Sequence, residues 1–269
     1  MTISLSERTI IITGASSGIG AATARACAAA GMDVVLTARR QDRLDAVAAD
    51  VRDLGRTATV IVGDITDRAL HADLLAAGGQ FHAVYANAGY GATQCGLDGT
   101  DETDRRMFDV NYFSAVELLR AAATQLVAEN RPGHLLMCSS CLSKFSLPRH
   151  GTYAATKAAQ NLWCSAFRLE LAPQRIAVSS VHPITTTTEF FDVSAREGGR
   201  PPRNGPPAHA PGFFVQPPER VARAIVRCLQ KPVPEVWTSH IVRTVAGFMT
   251  IFPRFGDFVI RRQAGNDER

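Results

Sequence analysis

The stretch that decides the fold reads Thr9-Ile10-Ile11-Ile12-Thr13-Gly14-Ala15-Ser16-Ser17-Gly18-Ile19-Gly20. Its first five residues are all β-branched and read as a short buried strand. Gly14, Gly18 and Gly20 then let the chain turn sharply and let backbone N–H groups come close to a ligand. The run Gly18–Ala30 continues as a helix, whose N-terminus points a partial positive charge at a bound pyrophosphate. A glycine cluster by itself is weak evidence. Between a strand and a helix, in a first βαβ unit, it signals a dinucleotide site, with Gly14, Ser16, Ser17, Gly18, Ile19 and Gly20 as candidate contacts. An ordinary tight strand–helix turn is the plainer alternative.

Outward from this unit, short β-branched or apolar runs alternate with longer Ala/Leu-rich amphipathic ones. Strands are expected at Thr9–Thr13, Asp33–Thr37, Ala58–Val62, Ala83–Ala86, His134–Cys138, Ile176–Val181 and Glu235–Trp237. Helices are expected at Gly18–Ala30, Arg40–Leu54, Arg68–Ala76, Glu102–Glu129, Tyr153–Ala172 and Pro218–Leu229. The alternation predicts an α/β fold: a single doubly wound parallel sheet of about seven strands with helices on both faces. Residues 1–239 would form the dinucleotide-binding and catalytic domain. Within it, residues 192–218 hold seven prolines and four glycines and read as a long surface loop, either a disordered linker or a substrate lid. Residues 240–269 form an apolar C-terminal extension. Its segment 240–262 is interrupted by Arg243, Pro253, Arg254 and Asp257, too often to span a bilayer. The favoured reading is packing against the body or another subunit, and the alternatives are a cap over the pocket, a partner-binding segment or a membrane-surface helix.

A chain of 269 residues with 46% hydrophobic content can bury a full core. The net charge of +4 is dispersed, with no basic run interleaved with aromatics, so no nucleic-acid partner is expected. The first residues lack a basic, then apolar, leader, and the six cysteines show no repeat of paired spacing. Both features fit a reduced, cytoplasmic setting, with membrane association as the alternative. Cys138-Ser-Ser-Cys141 is a CxxC, but no second pair completes a metal site, and none is expected.

Chemistry enters with Tyr153 and Lys157. The chain has only four tyrosines and three lysines, and these two fall at i and i+4, one turn apart on one helix face. An ammonium beside a phenol lowers the phenol's pKa and makes it a usable proton donor and acceptor. At the end of the second strand, the acidic residue that binds a ribose 2′-hydroxyl is missing, and Arg39 and Arg40 stand there instead. That favours NADP(H) over NAD(H).

Together these residues resemble the short-chain dehydrogenase/reductase family over roughly residues 7–237, which implies a Rossmann-like fold. The family's nucleotide motif looks like Thr13–Gly20. Its adenine-contacting pair resembles Asp64-Ile65, and its Asn-Ala-Gly strand end resembles Asn87-Ala88-Gly89. Asn111 takes the place of its structural or proton-relay Asn. Ser140, with Ser139 as a rival, takes that of its catalytic Ser, thirteen residues before Tyr153. Pro183, Thr186 and Thr188 match the segment that contacts the nicotinamide, but Ile184 replaces the usual Gly. The resemblance implies catalysis by Asn111, Ser140, Tyr153 and Lys157 on a small-molecule alcohol or carbonyl compound, in a homodimer or homotetramer built through the long helices. Phe145, Leu147, Phe190, Phe191, Phe213 and Phe214 lie on segments flanking the family's pocket and point to a lipophilic substrate. Two other readings stay open: a non-catalytic nucleotide-binding sensor or scaffold, and a peripheral membrane protein. His150 and His182 read as satisfied or solvated histidines rather than bases.

Overall fold

The computed structural model describes residues 2–202, 205 and 214–264. Seven strands form one parallel sheet: β1 (Thr9–Thr13), β2 (Asp33–Ala38), β3 (Ala58–Val62), β4 (Ala83–Ala86), β5 (Gly133–Cys138), β6 (Ile176–His182) and β7 (Glu235–Trp237), in the order β3-β2-β1-β4-β5-β6-β7. The unbroken apolar runs follow from burial on both faces. Side chains alternate across a strand, so Ile10 and Ile12 enter one hydrophobic layer and Ile11 the other. The first layer lies under α1 (Gly18–Ala29), α2 (Gln41–Asp53) and α8 (Pro218–Gln230). The second lies under α3 (Arg68–Gly78), α5 (Ser114–Ala128) and α6 (Gly151–Leu171). Strand order reverses between β1 and β4, which opens a crevice beyond their C-terminal ends, where ligands bind in open α/β sheets.

Two expectations change. The helix expected over Glu102–Glu129 is divided into α4 (Asp101–Phe108), a π-helical turn at Asp109–Phe113, and α5. The surface loop expected over 192–218 begins inside a helix, α7 (Phe190–Glu197). All seven prolines of that window fall from residue 201 onward, so the window's composition concealed a helix free of Pro and Gly. Farther on, Thr186 and Gln216 form a parallel bridge, while residues 203–204 and 206–213, including Phe213, lie outside the described residues.

The C-terminal segment is a helix pair, α9 (His240–Ile251) and α10 (Pro253–Ala264). The two are divided at Phe252, which leaves helical geometry (φ −120°, ψ 77°) because it precedes a proline. Val242, Ala246 and Met249, at i, i+4 and i+7, form the buried stripe of α9. Val242 and Ala246 pack with Ile184 and Trp237, with Phe145 and Phe214 against them. Among the described residues no helix is long and apolar enough to cross a membrane.

Candidate active site

The glycine turn is held by its neighbours across the crevice. Thr13 Oγ1 accepts the backbone N–H groups of Asn87 and Ala88, each at 2.9 Å. Asn87 Nδ2 donates to Thr13 O at 3.0 Å and to Gly14 O at 3.3 Å. Gly14 and Gly18 sit at φ +65° and +55°, the left-handed region that glycine enters freely. A Cβ on Gly20 would lie 2.3 Å from Gly14 O. The turn therefore admits no side chain there. Ser16, Ser17, Gly18 and Ile19 line the adjoining groove.

Arg40 donates to Ser17 Oγ at 2.9 Å, Ser16 Oγ at 3.2 Å and Glu189 Oε2 at 2.8 Å. This contact ties the turn, through Arg40, to a residue 149 positions beyond that arginine, and it holds the Glu189 carboxyl below its ordinary range. Arg39 is more open, 70% exposed, with Asp64 at 3.9 Å. The Asp64 carboxyl is also held low, chiefly by the Thr66 backbone N–H at 3.0 Å. Ile65 is buried beside it and lines the same wall.

At the other end of the groove, the π turn swings Asn111 into the interior, where it is fully buried. Its Oδ1 accepts from Tyr90 N–H and its Nδ2 donates to Tyr90 O, both at 2.9 Å. Nδ2 also donates to Thr156 Oγ1 at 3.1 Å. Gln160 Nε2 donates to the Asn111 carbonyl. A Cβ on Gly89 would lie 2.9 Å from Asn111 Oδ1 and 3.5 Å from Lys157 Nζ, so these two groups converge on one point.

The two rival serines turn in different directions. Ser139 Oγ donates back to Lys157 O at 3.0 Å. Ser140 Oγ accepts from Leu142 N–H at 3.1 Å and lies beside the Tyr153 phenol, whose pKa it draws down. Lys157 Nζ donates to Cys138 O at 2.7 Å and stands 5.6 Å from the Tyr153 ring centre. Burial pushes the Tyr153 phenol up, against the opposing effect of Ser140, and pushes the Lys157 ammonium down. The lowering of the phenol expected from Lys157 is therefore not seen, and desolvation sets the direction of its shift.

Pro183 O accepts from Cys141 N–H at 3.0 Å. Ile184 is absent from the residues with positive φ, and its buried side chain packs under α9, so its substitution for glycine anchors the C-terminal helices. Thr186 Oγ1 donates to Ile184 O at 2.7 Å, and the methyl of Thr188 would meet a Cβ on Gly18 at 3.0 Å. His182 stacks on Trp237 at 4.6 Å, and its Nδ1 lies 3.0 Å from Ser140 O. Burial draws its pKa down to about 4. His150 is on the groove rim. Burial raises the Cys141 thiol to about 11, and no metal-sized group of His, Cys, Asp or Glu occurs among the described residues.

All the nucleotide and catalytic candidates except the buried Gly20 and Asn111 line one groove of about 970 Å³, at the upper end for ligand sites. Phe145, Leu147, Phe190, Phe191 and Phe214 line it too, and the Phe190 and Tyr153 rings are 5.3 Å apart. Sequence reasoning missed Thr156, Gln160, the Tyr90 backbone and Glu189. The first two share the helix of Tyr153, at three and seven residues beyond it, which was a usable signal. Nothing local pointed to Glu189.

The model of the short chain dehydrogenase family matches residues 8–197. The chain is 28% identical over 264 residues to the uncharacterized oxidoreductase YxnA of Bacillus subtilis (strain 168), covering 96% of this chain and 72% of that protein. It is 31% identical over 190 residues to human L-xylulose reductase, covering 71% and 76%. Among solved structures it resembles a short-chain dehydrogenase from Sphingobium yanoikuyae in complex with NADPH: TM-score 0.77, 26% identity, 97% of this chain and 96% of that one. Neighbours of comparable likeness are described with NAD. With that match over most of its length, the chain belongs to the short-chain dehydrogenase/reductase family of oxidoreductases.

Proposed function

We propose that the protein is an NADP(H)-dependent oxidoreductase that interconverts a secondary alcohol and a ketone, or a primary alcohol and an aldehyde, on a lipophilic substrate. The observation that carries this reading is the convergence of Ser140, Tyr153 and Lys157 with the glycine turn in one groove. The residues fit a dinucleotide: Gly20 closes a turn that a Cβ would fill, and Arg40 is braced by two serines next to it. Asp64, Ile65, Asn87, Ala88 and Gly89 would border the adenosine half, and Pro183, Thr186 and Thr188 the nicotinamide half. When bound, the nicotinamide supplies or accepts the hydride.

The chain's own residues handle the proton. Tyr153 Oη would give a proton to the substrate oxygen in reduction and take it back in oxidation. Ser140 Oγ would donate to the same oxygen as negative charge develops on it. Lys157 would orient the bound ribose and, with Asn111 beside it, return the proton from solvent. The aromatic lining supports a lipophilic substrate, and Arg39 and Arg40 support NADP(H). A screen of carbonyl compounds and alcohols with both cofactors, read by nicotinamide absorbance, tests all of this. Turnover confined to polar sugars would refute the lipophilic assignment, a consistent preference for NAD(H) the cofactor assignment, and no turnover at all the enzymatic one.

A further inference from the structure

We infer that α9 and α10 form a docking surface for an anionic lipid bilayer and place the mouth of the groove against it. Among the described residues, fifteen large apolar side chains are exposed, and seven of them lie between Ile241 and Phe258. Ile241, Phe248 and Ile251 are on the side of α9 away from its buried stripe, Val245 flanks that stripe, Phe252 lies at the break between the helices, and Phe255 and Phe258 are on α10. Phe248 and Phe252 pair at 5.2 Å, and with Phe255 they line an open cleft of about 580 Å³ between the helices. Apolar surface concentrated in this way is uncommon on a protein that stays alone in water.

Charge selects the occupant. Arg243, Arg254, Arg261 and Arg262 are exposed among these aromatics, against one carboxylate, Asp257, and none of the four forms an ion pair among the described residues. A two-fold interface would press this cationic patch against its own copy. Self-association has another candidate face in any case, the exposed Leu162 and Leu169 on α6. Aromatic rings interleaved with arginines on a helix face suit the headgroup layer, where anionic lipid attracts the cations and the rings enter the acyl boundary.

The same helices reach inward. Val242, Val245 and Met249 of α9 and Val259 and Ile260 of α10 line the catalytic groove. A docked surface would therefore deliver a bilayer-dissolved alcohol or ketone to the groove. That corollary rests on the oxidoreductase reading, whereas docking itself does not.

The test is co-sedimentation of the full chain with phosphatidylcholine vesicles, with and without phosphatidylglycerol. Wild type should pellet with the anionic vesicles at low salt and be released at high salt. Replacing Arg254, Arg261 and Arg262 by Gln should weaken partitioning about 100-fold, given roughly fivefold per arginine. Phe252→Ser with Phe255→Ser and Phe258→Ser should abolish it, with thermal melting and cofactor binding unchanged. Failure of wild type to pellet, or equal binding by the Phe variant, overturns the inference. So does light scattering that shows a wild-type oligomer converted to monomer by the Phe variant, since the patch is then a subunit interface. Vesicle binding without any oxidoreductase turnover would uphold docking and remove the proposed reaction instead.

Discussion

Arg40 holds Glu189 and two serines at once, and this makes cofactor choice the sharpest test of the site. Replacing Arg40 by Ser removes the guanidinium and leaves the turn itself intact. A hydrogen bond between charged partners contributes about 1.5–3 kcal/mol, so losing one to a 2′-phosphate should lower kcat/KM for NADPH about 10- to 150-fold. NADH, which has no 2′-phosphate, should be used as before. Glu189→Gln acts in the opposite direction, because the carboxylate competes with the phosphate for Arg40. That ion pair is exposed, at 45% and 41%, and surface pairs contribute only about 0.2–1 kcal/mol. Freeing Arg40 should therefore improve NADPH use by only about 1.5- to 5-fold, and the gain should vanish in the double variant. Initial rates with each cofactor, at several ionic strengths, separate these outcomes. If Arg40→Ser impairs NADPH and NADH equally, the guanidinium supports the turn and does not read the phosphate. If Arg39→Ser carries the whole loss instead, the phosphate sits on the exposed side of the strand end, and Arg40 serves only to hold Glu189.

Tyr153→Phe should reduce turnover about 100- to 10,000-fold, the usual contribution of a positioned acid, while cofactor fluorescence titration remains normal. A variant with near-full activity would remove Tyr153 from the chemistry. Gly20→Ala forces a methyl to within 2.3 Å of Gly14 O and 2.7 Å of Asn87 Nδ2. Cofactor binding should be lost, and overpacking should lower stability by about 1–3 kcal/mol in a denaturant melt. Acid should destabilise the fold through three buried histidines. His82 and His182 are lowered to about 4 and His134 to about 3, all by burial. Below the ordinary histidine pKa of about 6.5 the unfolded chain takes up protons that the native state refuses, so stability is full above that value. It then falls as pH drops toward 4, by roughly 2 kcal/mol per histidine at about pH 5. Thermal melts between neutral pH and that point should show the slope, and His134→Gln should flatten it by about a third. An unchanged melting point would show that these rings are protonated in the native state.

The sheet was legible because each strand run is short, apolar and bounded by helical periodicity, and burial on both faces removes any conflict between pattern and environment. The candidate pair Tyr153 and Lys157 was legible for a different reason: one helix turn fixes the two relative to each other, so spacing along the chain is spacing in space. Contacts that depend on where two distant segments meet had no such signature. Arg40 and Glu189 are 149 residues apart, and neither neighbourhood marks them as partners. The π turn escaped as well, because helical periodicity over 102–129 is compatible with one continuous helix. An extra residue per turn shows only when Asn111 is seen turned inward to Tyr90 and Thr156. Ile184 is the instructive case. From sequence it is an unwelcome replacement for glycine beside the nicotinamide segment. In the fold its φ is ordinary and its side chain packs with Val242 and Ala246. The same substitution that departs from the family pattern thus supplies the apolar seat for the C-terminal helices, and those helices supply one wall of the groove. A cavity-forming Ile184→Ala, worth about 2–5 kcal/mol if the site stays open, should therefore loosen α9 and weaken lipophilic substrate binding before it affects the glycine turn. The departure and the extension are then one adaptation, tying the nicotinamide segment to the helices that form the groove wall.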